Sequence, residues 1–154
     1  MNRQALRVRR AGRADLAALL ALEESTFSSD RISRRQWRRH LDSRSATVLA
    51  CGAVGDVEAV AVVFYRRHTR HARLYSLAVR SDRRGEGLGL QLLAAAETDA
   101  RGRGCHTISL EVGTRNRAAI ALYERSGYQR LARLRRFYED GGDAWRCAKS
   151  LQPA

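Results

Sequence analysis

The sequence predicts an α/β fold in which a central mixed sheet is flanked by helices, in the order β-α-α-β-β-β-α-β-α-β-β. Three observations lead there. Short stretches whose apolar residues alternate with period two are interleaved with stretches of period three to four, so strands and helices succeed one another. The turn GDVE (55–58) joins two strand-like stretches into an antiparallel hairpin. A strand, a glycine-rich loop, a helix and a second strand then follow over residues 73–112, which is the βαβ unit that lays two strands parallel.

Taken in order, Leu6 and Val8 begin a strand, and Asp15 to Thr26 form a helix with apolar positions at Leu16, Leu19, Leu20 and Leu22. A second helix starts at Ser33, a good N-cap, with Ile32 and Trp37 spaced as a hydrophobic staple. Leu41 continues its apolar face and the arginines take the other side. Thr47 to Val54 and Ala59 to Tyr65 make the hairpin, and Arg73 to Val79 the next strand. A helix from Leu88 to Arg101 is ended by Gly102 and Gly104; HTISLEV (106–112) is a strand. NRAAIALYERSG is a helix opened by Asn116 and closed by Gly127, and strands Tyr128 to Tyr138 and Ala144 to Leu151 flank the turn EDGGD. No repeat, linker or low-complexity tract interrupts residues 1–154, and the only proline is Pro153, so one domain is expected.

The apolar runs near Leu16 to Leu22 and Ala59 to Tyr65 fall short of the roughly 18 residues that span a bilayer, so no membrane helix is expected. The opening MNRQALRVRRAG lacks an apolar h-region and cleavage site and implies no targeting segment. Cys51, Cys105 and Cys147 are far apart and form no C-x-x-C pair; they suit free thiols in a reducing cytoplasm, with no metal. His68 and His71 have no acidic neighbour and belong to a solvated loop. The net charge of +13 suggests a polyanionic partner, but only Lys149 among the 29 basic residues is lysine, a bias that genome composition also produces.

The stretch RRGEGLGLQLLAAAE (83–97) has glycines at 85, 87 and 89 and runs directly into a helix. A helix start offers free N–H groups to an anion, and Arg83 and Arg84 add positive charge, so a phosphate cradle is a fair reading beside that of a simple turn. A nucleoside triphosphatase loop needs Gly-Lys followed by Ser or Thr, which is absent. A dinucleotide fingerprint starting at Gly85 needs a third glycine where Leu90 stands, although Glu111 sits at the distance of a ribose-binding acid.

A third pattern, R-x-x-G-x-G, is met by Arg84, Gly87 and Gly89, and here the chain resembles the GNAT superfamily of acetyl-CoA-dependent N-acetyltransferases. The second half, SLEVGTRNRAAIALYERSGY, resembles that superfamily's closing motif through Asn116, Leu122, Tyr123, Gly127 and Tyr128. Within it the chain is similar to the bacterial ribosomal-protein alanine N-acetyltransferases, through Leu110, Glu111 and Val112 and through the tail FYEDGGDAWR. Two positions depart: Gly113 stands where arginine is usual, and SSDRIS replaces the usual Pro-Trp.

The resemblance implies a GNAT-like three-layer fold and acetyl-CoA as cosubstrate. Its pyrophosphate would lie on Arg84, Gly85, Glu86, Gly87, Leu88 and Gly89, and its pantetheine arm along the backbone of Leu77, Ala78 and Val79. It implies that Tyr123 stands near the sulfur as general acid, whereas the residue pattern alone makes Tyr123 a half-buried core tyrosine. Asn116 is a helix cap or a cofactor contact. Glu111 is the candidate base, acting directly or through water. Phe27, Trp37 and Tyr138 are candidates for the acceptor side. At neutral pH an α-amine of pKa near 8 is roughly a tenth neutral and a lysine amine only about one part in a few thousand, which favours a protein or peptide N-terminal α-amine as acceptor. A small-molecule amine is the alternative, and a non-catalytic basic module touching RNA or ribosomes a third reading. Arginines 31, 34, 35, 38 and 39 suit an acidic or ribosomal partner, or a solvated face.

Overall fold

The computed structural model describes residues 8–153; Leu6, expected in the first strand, lies outside them. One mixed sheet of seven strands runs in the order β1-β2-β3-β4-β5-β7-β6. β1 (Arg9–Arg10), β2 (Ala46–Cys51), β3 (Ala59–Tyr65) and β4 (His71–Val79) pair antiparallel in succession. β5 (Thr107–Gly113) pairs parallel with β4, and β7 (Ala144–Ser150) lies antiparallel between β5 and β6 (Gln129–Leu134). This is the mixed sheet flanked by helices that the sequence order predicts.

The helices divide between the two faces, because alternate residues of β3 face opposite ways. Ala59, Ala61 and Val63 join a core with Leu88, Leu92, Leu93, Ala96 and Ala100 of α3 (Leu88–Gly102) and Tyr123 of α4 (Arg117–Arg125). Val60 and Val62 join the opposite core with Leu19 and Leu22 of α1 (Leu16–Thr26) and Trp37 of α2 (Arg34–Asp42). Ser33 caps α2 as expected and also completes a capping box: Gln36 N–H donates to Ser33 Oγ at 3.2 Å and Ser33 N–H to Gln36 Oε1 at 2.8 Å. Ile32 and Trp37 are both buried beside it.

Three sequence expectations are corrected. β2 stops at Cys51, because Gly52 turns at φ +110° so closely that a Cβ there would collide with the carbonyl oxygen of Asp56. β6 stops at Leu134; Arg136 has φ +49°, and the N–H groups of Phe137 and Tyr138 both donate to Gly142 O, so Tyr138 sits in a hairpin turn. His71 is the first residue of β4 and no solvated loop, with Nδ1 2.6 Å from Thr107 Oγ1 and Nε2 2.7 Å from Ser109 Oγ across the β4–β5 pair.

β4 and β5 part company early. Their parallel pairing covers only His71–Leu74 against Thr107–Leu110. Beyond it β4 stays with β3 and β5 stays with β7, so the strands splay and a cleft opens between them. A bulge in the β3–β4 ladder, where Val62 pairs with Ser76 but Val63 with Leu74, leaves Tyr75 unmatched at the point of divergence.

Asp15 fixes the edge of this sheet. Its carboxylate is 1% exposed and accepts from Arg9 at 2.8 and 2.9 Å, from Gly12 N–H at 2.8 Å and from Gly55 N–H at 2.9 Å. One side chain thus joins β1, the entry to α1 and the β2–β3 turn. The Arg9 hydrogen bond, foremost, holds the Asp15 carboxyl far below the usual carboxylate range. Its contribution to stability is therefore complete above the unfolded-state value near pH 4 and is lost as pH falls below it. Asp15→Asn is expected to cost about 2–3 kcal/mol in denaturant unfolding at neutral pH. That deficit should shrink as the pH drops below about 4; a deficit unchanged at lower pH would contradict the assignment.

Candidate active site

The splay encloses a cleft of about 470 Å³. One wall is β4 from Arg73 to Leu77, the other is Glu111, Val112 and Gly113 of β5 with Asn116, Ala119 and Tyr123 of α4. Residues 26–30 after α1 and Phe137 and Tyr138 of the β6–β7 turn close the mouth. Those two loops touch: Glu139 N–H donates to Asp30 Oδ2 at 3.1 Å, and Asp30 is held at φ +54°.

β4 supplies the cleft with a bare strand edge. Past Leu74 its only ladder partner is β3, so the backbone of residues 75–79 can take a ligand as an added strand. Leu77 lines the cleft, while Ala78 is buried against the α1–α2 side and Val79 packs toward α3 and α4.

The glycine loop stands at the end of β4. Gly87 caps α3 in the left-handed region (φ +83°, ψ 12°), and the first helical bond runs from Gln91 N–H to Gly87 O at 3.1 Å. The N–H groups of Leu88, Gly89 and Leu90 therefore precede the helical ladder and remain for an anion. Gly85 also turns at φ +83°, and Arg84 and Glu86 are exposed beside it. Arg84 makes no ion pair among the described residues, whereas Arg83 is spent on buried Glu58 at 3.0 Å. Gly89 has a packing reason the sequence does not show: a Cβ there would lie 3.3 Å from Leu122 Cδ2, so it lets α4 approach α3. This donor set fits the pyrophosphate and pantetheine of a coenzyme A thioester.

Glu111 lies where β4 and β5 diverge. It accepts from Arg73 Nε at 3.0 Å through Oε2 and from Arg146 Nη2 at 3.4 Å through Oε1, Arg146 being its cross-strand partner on β7. Each oxygen keeps a second lone pair for a water or an amine. On the same wall Tyr123 of α4 is 7% exposed, its ring edge-on to Tyr128 at 5.8 Å, and its hydroxyl has no hydrogen-bond partner among the described residues. Burial, with lesser contributions from Tyr138 and Cys147, pushes the Tyr123 phenol well above its ordinary value. Tyr138 is pushed up to about 12, by burial first and then by Glu111. Asn116 does two things at once, capping α4 through Ala119 N–H at 3.2 Å and lining the cleft.

Of the acceptor candidates, Phe27 and Tyr138 line the mouth. Trp37 does not: it is fully buried in the α1–α2 core, where its large ring completes the staple, so that expectation is corrected. Sequence reasoning missed Arg73, Arg146, Tyr75 and the buried carboxylate of Glu23, whose Oε1 accepts Ile32 N–H at 2.8 Å. A strand register would have found the arginines, since Arg146 lies opposite Glu111 and Arg73 one position before the last β4–β5 pair.

A strand edge, a helix start with open N–H groups, and a carboxylate and a phenol on one cleft suit group transfer from a long anionic donor. Comparison with known proteins gives the class a family. Residues 15–128 match the acetyltransferase (GNAT) family. The chain is 37% identical over 82 residues to N-alpha-acetyltransferase 30 of Schizosaccharomyces pombe, 53% of this chain and 55% of that protein. It is 31% identical over 139 residues to the L-methionine sulfoximine/L-methionine sulfone acetyltransferase of Pseudomonas aeruginosa, 79% of each. Its fold matches the ribosomal-protein-S18-alanine N-acetyltransferase of Escherichia coli with a TM-score of 0.83 and 27% identity, over 96% of this chain and 95% of that one. The chain belongs to the GNAT family of acetyltransferases.

A general acid must carry its proton at working pH, and raised phenols do so through the pH near 10 at which free tyrosine ionises. The difference in phenolate absorbance between the wild type and Tyr123→Phe, titrated through about pH 10, should be flat. A phenolate signal at or below that pH that disappears in Tyr123→Phe would contradict the assignment.

Proposed function

We propose that the protein transfers the acetyl group of acetyl-CoA to the α-amine of a protein or peptide N-terminus. The observation that carries this reading is the placement of Glu111 and the unpartnered hydroxyl of Tyr123 on one cleft beside the free edge of β4, the strand that leads into the glycine loop. Similarity to N-alpha-acetyltransferases and to the ribosomal-protein alanine enzyme supports the α-amine.

Acetyl-CoA supplies a thioester whose carbonyl carbon is the electrophile. Glu111, through a water that its spare lone pairs can hold, takes a proton from the acceptor amine. The neutral nitrogen forms the new N–C bond, the C–S bond breaks, and the Tyr123 phenol gives its proton to the departing sulfur; the second nitrogen proton, released as the amide forms, restores the Tyr123 phenol through water. An α-amine asks least of such a base, since roughly a tenth of it is already neutral at pH 7. The two mouth loops joined through Asp30 and Glu139 would receive the residues that follow the amine. The three buried free thiols suit a reducing compartment, so the cytoplasm is the proposed location.

A second reading, a small-molecule amine as acceptor, is favoured by the Pseudomonas relative, which matches over 79% of both chains. The two are separated by mass spectrometry after incubation with acetyl-CoA and two peptides, one with a free N-terminal alanine and one blocked there but bearing lysine. Acetyl on the free α-amine alone is the expected result. An unmodified pair, with acetyl-CoA bound, would move the acceptor to small amines.

Tyr123→Phe is expected to lower kcat about a hundredfold or more with the Kd of acetyl-CoA unchanged; unchanged turnover would remove the acid role. Glu111→Gln should lose rate most severely at low pH, where the fewest amines are neutral. A pH profile parallel to that of the wild type would take Glu111 out of the proton path.

A further inference from the structure

Arg73 has a function in this cleft that holding Glu111 does not exhaust. Of its guanidinium nitrogens only Nε is engaged, at 3.0 Å from Glu111 Oε2, and Nη1 and Nη2 make no hydrogen bond among the described residues. A guanidinium has five N–H donors in a planar fork, so four remain. The side chain is 40% exposed and lines the cleft, and its guanidinium carbon sits 5.4 Å from the ring centroid of Tyr75 on the same strand. Tyr75 in turn stacks on Phe64 at 4.4 Å. Packed over an aromatic ring and anchored at Nε, the fork has a fixed direction.

Arg73 is the one cationic side chain on the cleft lining among the described residues, beside the carboxylates of Glu23, Asp30 and Glu111. Glu111 accepts from Arg73 and Arg146, Asp30 Oδ2 from Glu139 N–H and Ser29 Oγ, and Glu23 Oε1 from Ile32 N–H. An acceptor that carries a carboxylate beside its cationic amine can set the amine against Glu111 and the carboxylate on the open Arg73 fork, a two-point ion pair of the geometry an arginine fork fits best.

We infer that the preferred acceptor carries a carboxylate close to its reacting amine, and that Arg73 is the specificity-determining residue that binds it. The inference rests on the acetyltransferase reading above. Arg73 immediately precedes Leu74 and Glu111 immediately follows Leu110, and Leu74–Leu110 is the last β4–β5 pair, so fork and base stand side by side at the apex of the splay. Amine on one and carboxylate on the other are then at most about one residue apart. Two sources have that chemistry: the α-carboxylate of a free amino acid, and an Asp or Glu side chain at the start of a peptide.

The test measures kcat and KM on two acceptor pairs, the amidated peptides Ala-Asp-Ala-Phe and Ala-Asn-Ala-Phe, and L-methionine with L-methioninamide. In the wild type one pair should show roughly tenfold or greater preference in kcat/KM for its carboxylate-bearing member, expressed mainly in KM. Which pair shows it identifies the source. Arg73→Gln should bring that ratio to near one, and Arg73→Lys should restore part of it. Arg73→Gln also exposes the Glu111 charge, which alone disfavours the carboxylate-bearing member, so the ratio is measured again in Arg73→Gln/Glu111→Gln: a ratio still near one assigns the loss to the fork, and a restored preference overturns the inference. Equal or inverse preference in both pairs, or a preference that survives Arg73→Gln, would overturn the inference. If no acceptor is acetylated the function reading fails separately. Calorimetric binding of N-acetyl-L-alanine against N-acetyl-L-alaninamide to the coenzyme A-loaded protein then decides: a preference for the acid that Arg73→Gln removes sustains the inference, and equal binding ends it.

Discussion

The pairing of β4 with β5 lasts four residues and then stops, and the functional architecture depends on that stop. Each strand is held more firmly by its other neighbour, β4 by β3 and β5 by β7, both in antiparallel ladders that continue to the strand ends. The twist of two well-paired halves cannot be reconciled across a parallel seam, so the seam opens. The opening gives β4 a free edge, sets Glu111 at its apex, and leaves the α3 start at its far end.

Several polar side chains inside the molecule are fully engaged with one another. Tyr65 and Tyr128 donate to Asp99 and Glu97, and Glu97 is further tied to Lys149 at 2.8 Å, so the chain's single lysine is a structural partner. Asp15 is saturated by Arg9 and two backbone N–H groups. The hydroxyl of Tyr123 and the outer nitrogens of Arg73, by contrast, point to no protein partner among the described residues. Both groups belong to residues that line the cleft.

Local signals made much of this legible before any coordinates. Ser33 and Asn116 as caps, and the glycines at 85, 87 and 127, are properties of short segments, and the helices begin and end where those residues put them. The Leu-Glu-Val strand likewise pointed to Glu111 and Val112, which line the cleft. Pairing-dependent facts were beyond reach. Nothing near Arg73 in sequence announces Glu111, 38 positions away. Trp37 looked equally able to face a ligand or the core, because a staple residue is apolar in either case. Gly89 looked like part of a phosphate loop alone until Leu122 was found against it. His71 needed β5 beside it before its imidazole had partners.

The central claim is that the cleft edge of β4 and the start of α3 together receive the donor as an added strand ending in a phosphate cradle. Amide hydrogen exchange, followed residue by residue with and without coenzyme A, tests it most directly. Exchange should slow on binding at the β5-facing amides of residues 75–79 and at residues 88–90, with little change at the β3-paired amides of β4. Protection confined to other segments, or none at 75–79 and 88–90 despite saturating ligand, would contradict it.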